Sequence, residues 1–412
     1  MFLNNKIKQL NKNIENNSIG TNPIKRHINE KTKTERQSTR QTTGRLGKLF
    51  NRILGTGRRI ESEIKSYDLF TYITNSFGNQ AKLTFNNTIV AKGSHAEIYK
   101  LEVVNRSKHE KLIYKSIKKD ILTGKKEYKG FRFHYLLQKY LKSNNKRLLN
   151  YLCNLYEYGF IGKQNDYSQI YAIMGDCGIE LNKYIIQIKK QGKLTLYKII
   201  NIMIQCAKAL QILHDIKYCH LDIKPQNFLV IPIDDTNIQI KIIDFELVTK
   251  FTETTILSII KYNYSNGYFG TLKYMIPKMV YNYLNERNKR IKKKKFKIDG
   301  SIDIFSLGCM FYEFLIIYKL EVYENFFENI FVCPHEGNLQ KRANYKNYFN
   351  EDIIKLGRLI YDEVSIISNL GIIDILSKMV NPNTNEREKY KISILIEELE
   401  LELIKYVYIN LI

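Results

Sequence analysis

Four polar residues at fixed intervals constrain this chain more than any other feature. The segment His220-Leu221-Asp222-Ile223-Lys224-Pro225-Gln226-Asn227-Phe228-Leu229 is followed by a hairpin and then by Ile242-Ile243-Asp244-Phe245-Glu246. A carboxylate, a lysine two residues on, a carboxamide five residues on and a second carboxylate after a strand occur in order. Chance supplies any one of these in a loop, but not the ordered set.

The segment falls where the character of the chain changes. Before it, Leu83–Val90, Ala96–Val104 and Lys111–Ile117 are short runs rich in apolar and β-branched residues, and the third alternates. They predict three antiparallel strands joined by hairpins. A helix is predicted over Tyr128–Lys142, then strands over Leu155–Ile161 and Gln169–Met174. Beyond Asp176 the spacing becomes helical. Ile199, Met203, Cys206, Leu210 and Leu213 recur at three and four within Leu196–His214. Asp303–Ile317 is apolar nearly all round, which predicts a helix buried in the middle of a lobe. The fold class is therefore α+β, with a small antiparallel β-rich lobe ahead of a larger α-helical one. No internal repeat is visible.

Residues 1–82 are different material. From Asn4 to Arg59 they are mostly Asn, Lys, Arg, Thr and Ser with no sustained period, which predicts a basic, mostly disordered tail. The whole chain of 412 residues carries a net charge of +24. That excess could favour nucleic acid or acidic proteins, but no stretch interleaves aromatic and basic residues as RNA-binding modules do, so nucleic acid is not expected as a partner. The six cysteines, Cys153, Cys177, Cys206, Cys219, Cys309 and Cys333, include no CxxC pair and no zinc spacing. They are expected to be scattered reduced thiols in a cytoplasmic or nuclear protein. No apolar signal region opens the sequence, and the greasiest stretch, Ile302–Tyr318, is broken by Ser306 and Glu313, so no membrane span is expected.

The ordered polar set resembles the catalytic loop and metal-binding motif of the eukaryotic protein kinases. That resemblance implies a two-lobed ATP- and Mg2+-dependent phosphotransferase over residues 83–408, with an N-lobe at 83–175, a hinge at 175–178 and a C-lobe at 179–408. Asp222 would then aim the substrate hydroxyl, Lys224 would offset charge on the transferred phosphate, and Asn227 and Asp244 would hold magnesium through oxygen. Lys224, two residues after the catalytic Asp, marks the serine/threonine branch, with protein substrates as partners. Oligomeric state is not legible.

Other segments extend the resemblance in the right order. Val90-Ala91-Lys92-Gly93-Ser94-His95-Ala96-Glu97-Ile98 is similar to the hairpin over the ATP phosphates, which implies Val90, Gly93 and Ile98 as nucleotide contacts. Lys115 matches the strand lysine that grips the α- and β-phosphates; Lys118 and Lys119 are rivals beyond the alternating run. Tyr171–Gly178 resembles the hinge, with Met174 as gatekeeper and Gly175 C=O and Cys177 N–H on the adenine. Leu229 and Ile243 would floor that site. Gly270–Lys278 resembles the end of an activation segment, Asp303–Gly308 the helix whose Asp braces the catalytic loop, and Arg387 the arginine near the C-terminal helices. The hinge and Asn-Phe-Leu resemble dual-specificity spindle-checkpoint kinases; Asn-Phe-Leu with Ile-Asp-Phe also resembles casein kinases of the first type.

Five departures accompany the match. Ala91 and Ala96 replace glycines, which stiffens the phosphate hairpin. Ile113 stands where a small residue roofs the adenine. Glu127, 127 − 115 = 12 residues after the lysine, is early for the helix carboxylate that should pair with it. Leu221 replaces an arginine and Glu246 a glycine. Lys278 replaces the glutamate expected opposite Arg387. The residues support two readings: an active kinase, because the groups that touch phosphate, metal and hydroxyl are kept, or a pseudokinase that serves as a nucleotide-binding or scaffold module.

Overall fold

The computed structural model describes residues 82–92, 96–105, 108–118, 121–163, 166–234, 237–255, 274–276, 295–319, 371–381 and 384–410. All lie within one compact unit, Arg58–Ile412. Residues 1–81 of the expected disordered tail, the Gly270–Lys273 and Pro277–Lys278 parts of the activation-segment match, and Cys333 lie outside the described residues, while Lys82 already belongs to the first strand.

Five strands build the first sheet: β1 (Lys82–Lys92), β2 (Ala96–Asn105), β3 (Lys108–Lys118), β4 (Leu155–Lys163) and β5 (Asp166–Gly175). Their order is β1-β2-β3-β5-β4, antiparallel throughout. The alternation on β3 sets its faces. Ile117 joins Phe131, Leu155, Ile170 and Ala172 in a buried cluster, while Tyr114 on the other parity stacks on Tyr171. Helix α1 (Ile121–Asn144) supplies Phe131 to that cluster. It begins seven residues before the expected start at Tyr128. The polar opening Ile121–Lys126 has no apolar period to betray it, and the strand that precedes it ends only at Lys118.

A 3-10 turn at Lys146–Tyr151 leads from α1 back to β4. Two side chains on α1 tie down that return. Gln138 donates to Leu155 C=O at 3.1 Å and accepts from Leu155 N–H at 2.8 Å. His134 Nε2 donates to Cys153 C=O at 2.8 Å. His134 is buried, and burial lowers its pKa to about 4 against the opposing pull of that carbonyl, so the ring is neutral.

The second lobe is helical around a small sheet. Strands β6 (Ile179–Glu180), β8 (Phe228–Pro232) and β9 (Ile238–Ile242) pair in the order β6-β8-β9, and β7 (Tyr218–Cys219) pairs with β10 (Thr249–Lys250). Helix α2 spans Leu181–Lys190 and α3 spans Leu196–Asp215. Thr195 caps α3 through its hydroxyl on Lys198 N–H. Helix α4 (Gly300–Lys319) is buried on every side from Ser301 to Ile317, as its all-round apolar sequence predicts. By length and composition α3 and α4 could each cross a membrane, yet both are mostly buried inside this lobe, as core helices are. Helices α5 (Ile372–Met379), α6 (Thr384–Lys389) and α7 (Ile392–Ile409) close the chain.

Two expectations need correction. The cysteines are not all separate: Cys153 and Cys177 are joined in a disulfide, with Cα atoms 5.9 Å apart. Cys206, Cys219 and Cys309 are buried. The basic run Arg287–Lys297, whose like charges predict an exposed loop, is not wholly loop, because residues 295–297 belong to β12 (Lys295–Ile298), which pairs with β11 (Thr252–Thr255). Finally, position 278 lies outside the described residues, and Arg387 is held by other groups. It is 2% exposed, donates to the carbonyls of Ser301 and Asn381, and lies over the Phe305 ring at 5.4 Å.

Candidate active site

The catalytic loop is held from below by one buried carboxylate. Asp303 on α4 is fully buried. Its Oδ2 accepts from His220 N–H at 2.8 Å and from His214 Nε2 at 3.0 Å, and its Oδ1 accepts from Leu221 N–H at 2.9 Å. These bonds hold Leu221 in the left-handed region at φ 67°, a conformation few non-glycine residues adopt. His220 then orients the rest of the loop. Its Nδ1 accepts from Asp222 N–H at 3.3 Å, which leaves Nε2–H to donate to Ile243 C=O at 3.0 Å. One histidine thus ties the loop before the hairpin to the strand that delivers Asp244.

Asp222, Lys224 and Asn227 converge as their spacing predicts. Lys224 Nζ lies 2.7 Å from Asp222 Oδ2. Asn227 Nδ2 donates to Asp222 C=O at 2.7 Å and to Asp222 Oδ2 at 3.0 Å. An amide that donates through nitrogen keeps its oxygen for a cation. Ile243 N–H bonds Asn227 C=O at 3.0 Å, so Asn227 and Asp244 sit at the two ends of one hairpin.

The N-lobe contributes the cation. Lys115 Nζ is 3.0 Å from Glu127 Oε2 and 3.9 Å from Glu246 Oε1. Burial disfavours its charge, but Glu127, Asp244 and Glu246 together outweigh that and raise its pKa above an ordinary lysine. Glu127 is therefore the helix carboxylate, a correction to the expectation that it comes too early: an α1 that starts at Ile121 carries it on the turn facing β3.

Asp244 is raised by burial, with Glu127 and Asp222 adding to the rise and Lys115 and His220 offsetting part of it. Glu246 is pushed well up by burial, by Asp244 and by a hydrogen bond to Glu127. Anionic crowding of this kind is what a divalent cation relieves. Asp244 and Asn227 supply hard oxygen donors, and among the described residues no group of three or more Asp, Glu, His or Cys could hold a metal alone. That donor set fits magnesium, which takes few protein ligands and completes its shell with phosphate and water.

The residues expected to form the hinge follow the last strand of the sheet. Gly175 ends β5 and its N–H bonds Asn154 C=O at 2.9 Å. Met174 is opposite Ile113 in register, and Lys115 is opposite both Ile98 and Ala172. Cys177 is buried at the turn into the second lobe. Gly178 has φ +88°, and a Cβ there would lie 2.0 Å from Val230 C=O, so only glycine lets the hinge lie on β8. Leu229 on β8 is half-buried beneath it. Val90 lies on β1; Gly93 lies outside the described residues.

Two residues of this site escape a reading of the sequence. Glu246 stands as a second carboxylate for Lys115, although its place in the sequence predicts only a stiffer turn. Gly130 lies on α1 where a Cβ would be 2.9 Å from Glu246 N and 3.1 Å from its Cα. An isolated glycine inside a helical run is the available signal.

A β-sheet lobe with a Lys–Glu pair, a helical lobe with an Asp-Lys-Asn loop, and a single hinge between them define the protein kinase architecture. A family profile described as Protein kinase domain matches residues 86–392, and the chain belongs to the protein kinase family. It is 30% identical over 134 residues to a putative serine/threonine-protein kinase of Mycoplasma genitalium, covering 31% of this chain and 32% of that protein. It is 28% identical over 144 residues to the dual specificity protein kinase TTK of Mus musculus, covering 35% and 15%. A probable serine/threonine-protein kinase of Clostridium acetobutylicum is 30% identical over 162 residues, covering 39% and 20%. The matched stretch thus spans a third or less of each relative.

Proposed function

We propose that this protein kinase transfers the γ-phosphate of ATP, with Mg2+, to serine or threonine hydroxyls of protein substrates inside the cytoplasm or nucleus. The observation that carries the reading is the closed set at Asp222, with Lys224 at 2.7 Å and Asn227 at 3.0 Å from the same carboxylate oxygen. Asp222 is aimed by this pair to accept the substrate hydroxyl's proton. Lys224 neutralises that carboxylate at rest and is within reach of a phosphate that approaches it. Lys115, kept charged by Glu127, binds the α- and β-phosphates. Asn227 and Asp244 would hold magnesium; when bound, it supplies neutralisation of charge on the phosphate oxygens. Gly175 C=O and Cys177 N–H present one acceptor and one donor to adenine, above Leu229. The serine/threonine preference rests on Lys224 and on the names of two relatives.

A pseudokinase reading is favoured by one observation. Glu246 shares Lys115 with Glu127, and a lysine held by two carboxylates grips phosphate less readily. Phosphate incorporation from Mg-ATP into generic protein substrates decides between the two. Wild type should label substrate, while Asp222→Asn and Asp244→Asn should each lose at least about a hundredfold in kcat with cooperative unfolding intact. Absence of labelling by wild type, with nucleotide still bound, would establish the pseudokinase.

A further inference from the structure

Cys177 sits in the hinge, and its disulfide partner Cys153 sits in the return from α1 to β4. The Cα separation of 5.9 Å lies in the range a disulfide spans without backbone movement. Both residues are embedded in a hydrogen-bonded brace. Cys153 C=O accepts from His134 on α1, the helix that carries Glu127. The next residue, Asn154, gives its carbonyl to Gly175 N–H in the hinge. Asp176 N–H bonds Lys111 C=O on β3 at 3.0 Å. A covalent bond between 153 and 177 therefore closes a loop around β4 and β5 and fastens the hinge to the element that positions α1.

We propose that Cys153 and Cys177 are a redox-modified pair whose disulfide, closed by a small hydroperoxide and opened by a dithiol, pins the hinge against the α1–β4 return. The sulfurs belong to residues 2% and 5% exposed, so oxidation needs a small oxidant and local opening of the hinge, and bulky disulfides are excluded. The Cys177 thiolate, the more exposed of the two, attacks one peroxide oxygen. The O–O bond breaks, an alcohol or water leaves, and a sulfenic acid forms on Cys177. The Cys153 sulfur then attacks the Cys177 sulfur. The S–S bond forms, the S–O bond breaks, and water leaves with the proton from Cys153. Two thiols lose two electrons and one peroxide gains them. A dithiol reverses the change by exchange. In the closed form Lys115 and Glu127 are paired, so closing the disulfide is compatible with nucleotide binding. Its effect on nucleotide rests on the hinge being the adenine site.

The test uses the full chain after hydrogen peroxide or after dithiothreitol. Free thiols are alkylated and the protein is digested without reduction. Peroxide should yield a linked peptide pair containing Cys153 and Cys177, about 2 Da below the sum of the free peptides because two hydrogens are lost, and dithiothreitol should abolish it. Hinge amides in residues 171–180 should exchange with deuterium about tenfold more slowly in the oxidised form. KM for ATP should be lower by about fivefold in that form. Cys153→Ser and Cys153→Ala should fix exchange and KM at the reduced values, while Cys206→Ser keeps the full response. Alkylation of both thiols after peroxide would overturn the proposal, as would unchanged hinge exchange, or a redox response that survives in the Cys153 variants. A linked pair and slowed exchange with no change in ATP affinity would sustain the thiol pair and count against the adenine reading instead.

Discussion

Lys115 on β3 and Glu127 on α1, 12 residues apart, form a 3.0 Å ion pair that joins sheet to helix. The contact ties the middle of β3 to the first half of α1. Both partners are largely buried, with side chains 16% and 6% exposed, so removal of one leaves the other's charge less compensated. Lys115→Met should lower kcat/KM by about a hundredfold or more. Glu127→Gln should cost about tenfold or more through misplacement of the lysine. Lys118→Met and Lys119→Met should each change kcat/KM by less than about threefold. Steady-state kinetics with ATP as the varied substrate checks the series; a dominant effect at Lys118 would mean the register of β3 is off by an odd number.

Gly130 offers a test in which two effects carry opposite signs. Alanine in place of a helical glycine stabilises a helix by about 1 kcal/mol when nothing else changes. Here the new methyl would meet the Glu246 backbone at 2.9 Å, and backbone cannot swing aside. Gly130→Ala should therefore lower both Tm and kcat/KM, the latter by about tenfold. A rise in Tm would show that α1 and the Phe245–Glu246 turn are not packed together.

His134 makes acid stability measurable. Its folded pKa of about 4 lies below the ordinary value of 6.5. Between these limits the unfolded chain binds more protons, so unfolding free energy rises with pH there. The contribution is full above pH 6.5 and lost as pH falls towards 4, about 3 kcal/mol in all. Asp215, raised by burial to about 6, works in the opposite sense over part of the same window. Comparison with His134→Gln, which keeps a donor for Cys153 C=O but cannot charge, isolates the histidine. The variant's melting temperature should fall less steeply than that of wild type from about pH 7 to about pH 4.5.

Leu221 predicts how the activation segment is controlled. It is buried, and its N–H is committed to Asp303. An arginine at this place would offer a guanidinium to a phosphate on the segment; leucine offers none. Phosphatase treatment, or joint change of Thr249, Thr252, Thr254, Thr255 and Ser258 to alanine, should leave activity within about threefold of wild type. A fall of about a hundredfold would show that another cation has taken the arginine's place.

The sequence by itself determined the elements and the candidate residues for the chemistry. Alternation on β3, three-and-four spacing on α3 and all-round apolarity on α4 reflect local periods, and each survives in the structure with ends shifted by a few residues. Asp222, Lys224, Asn227 and Asp244 were legible because one loop and one hairpin hold them, so their spacing along the chain largely fixes their spacing in space. Asp303 was legible only through the resemblance of its segment, because its bonds to the loop run between separate elements.

The tertiary structure decided the contacts between elements. Glu127 looked too early because its helix start has no apolar period; packing against β3 selects it. Glu246 became a second carboxylate for Lys115 only when α1 settled on its backbone at Gly130. Arg387 is held by two carbonyls and the Phe305 face, which come from separate elements. Cys153 and Cys177, 24 residues apart with no motif, meet because β4 and β5 form a hairpin whose two ends must come together. Each of these depends on where two separately formed surfaces meet, and period and spacing along one chain carry no record of that.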